Sequence, residues 1–396
     1  MKELSDYYRL MLSEKLDLKR IPKFEQKEGE EAELTVTFVL PLLNPLDFYR
    51  MIVPAMALNR YSEKIRTFLI GLGNETTGVH IDDYNVYLRG EIVEQTDIFV
   101  IPFITDSVSQ IMKDIYRLNK EAKICMFVDY DWENLPAYHT AYDKFQDPKV
   151  SERVIQNIKD VDAVFFVNSE LENKVFENLS EKLKGANTMF QTIPLLTDIE
   201  LLKDVELITT KDQDVFKIGI FAEQNDWESN NYIQSVLKDI QKKHGDSVEI
   251  NVIGNGLMYD KRNCFRDIKY NHVQYENIID YFGTISALRL DVGLIPIKDT
   301  AFNKVSIDYG KYITFSILQI PVMASSVYPY NHFVKHNERG ILCGTKTNWI
   351  DELAIAIKDR TKLEEVMKFA FTVSKEYYIV NTPEKLKMFE QIFLEL

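Results

Sequence analysis

Residues 290–326, LDVGLIPIKDTAFNKVSIDYGKYITFSILQIPVMASS, decide how the rest of the chain is read. The run Val292 to Ile297 has the apolar composition of a buried strand and ends in a polar loop, Lys298 to Ser306. An amphipathic segment follows, and Ile320-Pro321-Val322-Met323-Ala324 begins a second apolar run. The pattern predicts a strand–loop–helix–strand unit, the repeat of open parallel sheets. Such sheets bind ligands in the loops at the carboxyl ends of their strands. This loop offers the amide of Asn303, the ammonium of Lys304 and the hydroxyl of Ser306 at the start of a helix. Free backbone N–H groups and the helix dipole favour anions there, which points to a phosphate. Capping of the helix by Asn303 and Ser306 is the other reading, since both residue types suit it.

Working outward, the same alternation recurs on both sides. Apolar strand-like runs at 34–40, 65–71, 97–103, 123–129, 162–168 and 187–194 form a first series. Helical patterns at 48–61, 107–119 and 150–159 lie between them, the first broken or begun near Pro54. After a connection at 195–214, a second series has strands at 217–222, 248–256, 272–275, 292–297, 320–324 and 340–343. Its helices fall at 231–244, 281–288, 349–358 and 362–375, and an amphipathic segment at 383–396 closes the chain. The expected fold class is α/β with two doubly wound domains. The divisions are a helix and charged linker at 1–33, a first domain at 34–200, a second at 201–375 and a terminal helix at 376–396 packing back on the first domain.

Composition narrows the function. A chain of 396 residues exceeds one core, and 45% apolar with 27% charged residues is ordinary for a globular protein. The net charge of −14 disfavours a general affinity for nucleic acid backbones. Cys125, Cys264 and Cys343 are odd in number and far apart, which speaks against a disulfide framework or clustered zinc and fits a reducing cytoplasm. No apolar run approaches the ~18 residues that span a bilayer. The charged, amphipathic start MKELSDYYRLMLSEKLDLKR lacks the apolar core of a signal peptide. A cytoplasmic protein is expected.

The loop after the fourth strand, Asp129-Tyr130-Asp131-Trp132-Glu133-Asn134-Leu135-Pro136, crowds three carboxylates beside a tryptophan. Asp129 and Asp131 are candidates to bind or activate an acceptor hydroxyl, with Trp132, Glu133 and His139 as further acceptor-binding candidates. A surface turn with solvated acids is the plainer reading. The Asp-x-Asp pattern also suits a metal, but a second sheet domain follows, so no metal is expected. Gly219 would let its strand pass close to a neighbour or ligand. Gly254-x-Gly256 reads as a turn.

Phe302-Asn303, Ser306, Lys311-Tyr312-Ile313-Thr314-Phe315, Ile320-Pro321-Val322 and Pro329-Tyr330 together resemble the nucleotide-sugar site of family-4-like GT-B glycosyltransferases. Asp129–Pro136 is similar to an aspartate-rich segment of bacterial and phage-encoded members. The resemblance implies a GT-B fold, two Rossmann-like domains facing a central cleft. It implies a nucleotide-diphosphate sugar as donor, UDP-linked, with no cofactor, and transfer with retention. It makes Lys311 the leading candidate for the departing pyrophosphate, with Lys304, Asn303, Ser306, Thr314 and Gly219 as donor-binding candidates. Arg50 resembles an arginine of the first helix and joins them. Thr314 and Ser306 stand where the family carries glutamates. The acceptor is a glycan or glycoconjugate hydroxyl, and alternatives are a hydroxymethylated base of phage DNA, in the host cytoplasm, or a catalytically inactive GT-B binding partner.

Overall fold

In Leu34–Leu40 (β1) every residue after Leu34 is buried, as in a strand covered on both faces. The same holds for Ile98–Ile101 (β3) and Ala163–Phe166 (β5), all of whose residues are buried, and for Lys123–Phe127 (β4) after its exposed lysine. Strands so apolar have no solvent face, and parallel pairing with crossovers is the arrangement that buries them. A computed structural model describes residues 2, 5, 33–40, 45–71, 90–106, 109–209, 211, 214–254, 264–275, 278–374 and 383–396.

Two parallel six-stranded sheets result. With Ile65–Gly71 as β2 and Met189–Thr192 as β6, the first runs β2-β1-β3-β4-β5-β6. The second is built from Phe216–Phe221 (β7), Val248–Ile253 (β8), Asn271–Val273 (β9), Val292–Ile295 (β10), Val322–Ser325 (β11) and Ile341–Cys343 (β12). Its order is β12-β11-β10-β7-β8-β9, which counted within the sheet is the doubly wound 3-2-1-4-5-6 arrangement. Strand order reverses between β1 and β3 in the first sheet and between β7 and β10 in the second. These switch points are where open α/β sheets leave a crevice for ligands.

Two compact units contain these sheets. One comprises Met1–Glu133, Asp143–Asp204 and Tyr377–Leu396, the other Asn134–Tyr142 and Val205–Glu376. The closing helix, Pro383–Leu394, packs on the first unit, where the Phe393 ring meets Phe38 at 6.0 Å and Phe165 at 6.1 Å. The short segment Asn134–Tyr142 packs with the second unit although the chain on either side of it belongs to the first.

The helix expected at 48–61 is a π-helical turn, Phe48–Ile52, running into an α-helix, Val53–Tyr61, that begins near Pro54 as expected. Gly219 is closely packed in its strand. It lies opposite Gly293 in the β7–β10 pair, and a side chain on it would meet Leu290 Cδ1 at 2.3 Å. Gly293 makes the same kind of room for Phe315, at 2.6 Å. The helix expected at the N-terminus, its charged linker and Gly256 lie almost wholly outside the described residues.

Candidate functional site

The switch point of the second sheet carries a group of charged side chains that share partners. β7 ends at Phe221, a short turn Gln224–Asp226 follows, and the helix Trp227–His244 begins at once. Asp226 occupies the capping position of that helix yet makes no capping hydrogen bond. Its carboxylate instead pairs with Lys311 Nζ. Lys311 is the second residue of another helix, Gly310–Ile317. The first turns of two helices, each carrying the positive end of a dipole, therefore meet at one ion pair.

Lys311 is partly sheltered, its side chain 31% exposed. Burial opposes its charge, but Asp226 above all, then Glu223 and Asp308, outweigh that and hold its pKa above the ordinary lysine value. Asp308 is fixed in turn, accepting the Gly310 N–H at 2.6 Å through its side chain and the buried Tyr330 hydroxyl at 3.0 Å through its carbonyl. Glu223, just after β7, accepts the Tyr275 hydroxyl at 3.3 Å. Burial pushes its carboxyl up to about 7, with Asp226 adding to the rise and Lys311 and Tyr275 working against it. Next to it Gly254 adopts φ +151°, and a Cβ there would stand 2.8 Å from the Ala222 carbonyl oxygen. No other residue type passes so close to β7 in that conformation.

The loop after β10 reaches the same place by way of the Trp227 helix. The Lys298 N–H donates to Ser229 Oγ at 3.0 Å, in the first turn of that helix. Asn230, the next residue, is wholly buried and neither polar atom of its side chain has a protein partner. Such buried amides are exceptions that call for an explanation. The strap Asn134–Tyr142 borders this turn too, through the Thr140 N–H to Asn225 Oδ1 at 3.0 Å and the Tyr138 ring 6.0 Å from Trp227.

Several residues expected at a donor site are used otherwise. Thr300, not Asn303 or Ser306, caps the helix Ala301–Ser306, accepting the Asn303 N–H at 3.1 Å. The buried Asn303 amide donates to the Lys298 carbonyl at 2.8 Å and so shapes the loop. Ser306 is the last residue of that helix, so it offers no N-terminal donor. Lys304 is half-exposed and pairs with Asp299 at 2.7 Å. Thr314 is buried at 1% exposure inside its helix. Local spacing resembles a phosphate loop in the sequence, but Thr300 shifts the helix start two residues ahead of Phe302-Asn303.

In the first unit, Arg50 lies in the π-helical turn at 2% exposure. Its guanidinium holds Asp47 at 2.6 Å, pairs with Asp129, and stacks on the Phe127 ring at 4.9 Å. Burial opposes its charge, yet Asp129 and Asp47 raise its pKa above the ordinary arginine value. Arg50, Asp47 and Asp129 thus form an internal triad. Asp131 is buried and turns the chain by accepting the Glu133 N–H at 3.3 Å. Trp132 is no exposed platform. It is 3% exposed, with Nε1–H donating to Ser151 Oγ at 3.1 Å. Glu133 accepts from Asn178 Nδ2 at 2.8 Å.

His139 belongs to the strap and hence to the second unit. Its Nδ1 accepts the Ala141 N–H at 3.1 Å, its ring meets Phe302 at 5.5 Å, and burial lowers its pKa to about 4. It is neutral at pH 7, with the proton on Nε2. Glu223 and Asp226 were missed in the sequence as site residues. The signal available was their place, in the loop straight after a glycine-containing strand.

Among the described residues no group of three acidic, histidine or cysteine side chains is arranged to hold a metal ion. Among them, too, no helix is long and apolar enough to cross a membrane.

No protein-family model matches the chain, and no curated protein matches it in sequence. Solved structures do match in fold. Sucrose-phosphate synthase of Thermosynechococcus elongatus superposes with a TM-score of 0.59 at 10% identity, over 91% of this chain and 98% of that one. Anabaena HepE, solved in complex with UDP and glucose, gives 0.58 at 10% identity, over 92% and 100%. An alpha-glucosyltransferase in complex with UDP-glucose and DNA containing an abasic site gives 0.59 at 9% identity, over 91% and 99%. At such identities the likeness is one of fold. The chain has the α/β fold of these GT-B glycosyltransferases, with two doubly wound, Rossmann-like units.

Proposed function

We propose that this chain is a glycosyltransferase that binds a nucleotide-diphosphate sugar, UDP-linked, in its second unit and transfers the sugar to an acceptor hydroxyl. One observation carries the reading: at the switch point of a doubly wound sheet, Lys311 sits where two helix N-termini converge. An ammonium beside the positive ends of two helices suits a departing pyrophosphate. Fold neighbours solved with UDP and glucose, or with UDP-glucose, support the choice of ligand. The reaction needs no cofactor in this reading, and retention of the anomeric configuration rests on the resemblance. Phosphate entry replaces Asp226 on Lys311. In the first unit, Asp129 and Asp131 at the carboxyl end of β4 are the proposed acceptor-side acids, Asp129 held in place by Arg50.

The acceptor in this proposal is a glycan or glycoconjugate hydroxyl, reached in the cytoplasm. A second reading, transfer to a hydroxymethylated base, is favoured by the fold neighbour solved with DNA and opposed by the net charge of −14. Release of nucleoside diphosphate from a panel of nucleotide sugars, with and without hydroxymethylated DNA, tests both. Lys311→Ala should abolish release while leaving the melting temperature of the second unit within a few degrees. Undiminished release by that variant would refute the phosphate placement. No release from any donor by the wild type, together with retained UDP binding, would leave an inactive binding protein.

A further inference from the structure

Glu223 stands in the same cluster as Lys311, and the donor reading above gives it no task. Its carboxyl is reached from one side by the Tyr275 hydroxyl at 3.3 Å. The oxygen it reaches, Oε1, also lies 3.5 Å from where a side chain at Gly254 would begin. Gly254 is held there by its N–H on the Val273 carbonyl at 3.1 Å and by His272 Nε2 against its own carbonyl at 2.7 Å. The charged and titratable groups that act on Glu223 are Lys311, Asp226 and Tyr275, while Asp308 acts on Lys311 and Asp280 on Tyr275.

The charge count of this cluster poses a problem for an anionic ligand. Among the described groups that act on one another here, Lys311 is the one ammonium, against the carboxyls of Glu223, Asp226 and Asp308. With all three ionised, a diphosphate would enter an excess of negative charge, where like charges repel across a few ångströms of low-dielectric protein. A neutral Glu223 removes one of those charges and offers an O–H donor where the charged form offers only acceptors.

We propose, resting on the nucleotide-sugar reading, that Glu223 contacts the donor's diphosphate as the neutral acid, its O–H donated to a phosphate oxygen beside Lys311. Binding then takes one proton from solvent for every molecule whose Glu223 was ionised beforehand. Nothing else is transferred. Burial places that ionisation at about 7, so the uptake falls in an accessible range.

The test is isothermal titration calorimetry of the full chain with UDP-glucose, whose phosphodiester charges do not titrate near neutrality. Affinity should fall about tenfold from pH 6 to pH 8, as expected for a required proton on a group of pKa near 7. Titrations in two buffers of different ionisation heat should show close to one proton taken up at pH 8 and close to none at pH 6. Glu223→Gln should bind with the same affinity at both pH values and without uptake. Wild-type affinity that is equal at both pH values, with no uptake, would overturn the proposal without any variant. A tenfold fall that persists in Glu223→Gln would overturn it by assigning the proton elsewhere. No binding of UDP-glucose, GDP-mannose or ADP-glucose by the wild type at either pH would instead overturn the nucleotide-sugar reading, and the role of Glu223 with it.

Discussion

Replacing Arg50 by methionine separates a structural arginine from a ligand-binding one. The guanidinium is 2% exposed, and Asp47, which it holds at 2.6 Å, is fully buried. Methionine keeps much of the apolar contact with Phe127 but leaves Asp47 as a buried charge without its counter-ion. Removing one partner of a buried pair typically costs about 3–5 kcal/mol, most of it the penalty on the charge left behind. Asp129 is partly exposed, its side chain at 23%, so water offsets its loss and the cost comes mainly through Asp47. A change of that size lowers the melting temperature of a unit this large by about 10 °C. Thermal melts followed by circular dichroism measure it, and adding Asp47→Leu to Arg50→Met should recover part of the loss, since the stranded charge is gone. A fall of less than ~1 kcal/mol, or lost UDP-glucose affinity at unchanged stability, would refute the internal triad and return Arg50 to the ligand-facing residues.

The remaining expectations are smaller or more local. Gly293→Ala puts a Cβ 2.6 Å from the Phe315 ring and should destabilise the second unit by about 1–3 kcal/mol, read by urea denaturation; a neutral outcome would show that the ring moves freely. His139 ionises at about 4 when folded, below the ~6.5 of an exposed histidine. The unfolded chain therefore binds its proton first, and stability is lost as pH falls from ~6.5 towards 4, by on the order of 3 kcal/mol for this residue. His139→Gln should flatten that part of the pH–stability curve, and an unaltered curve would mean the ring is open to solvent. Lys311→Ala carries the functional prediction, abolished release of nucleoside diphosphate in a folded protein.

The alternation of apolar runs with amphipathic segments was enough to call two α/β halves, because a strand buried on both faces has to be apolar throughout. β1 at Leu34–Leu40 and β2 at Ile65–Gly71 fall where their sequences say they should. Helix starts were less legible. Asn303, Ser306 and Thr300 are all competent caps, and only the position of the loop against Ser229 and Ser325 selects Thr300. The aspartate-rich loop shows the same limit. Asp129, Asp131 and Trp132 look alike as surface chemistry in one dimension, yet one meets a buried arginine, one turns the chain and one fills the core.

Sequence by itself determined the fold class, since periodicity and composition are properties of neighbouring residues, and a short motif set the expectation of an anionic ligand near Lys311. Tertiary structure alone decided what Lys311 faces. Asp226 is 85 positions away and Glu223 farther still, brought to it because β7 and β10 are adjacent at the switch point of the sheet. Long-range pairing of that kind follows from strand order, which no local pattern encodes. It also sets the burial and charge balance on which the chemistry of Glu223 depends.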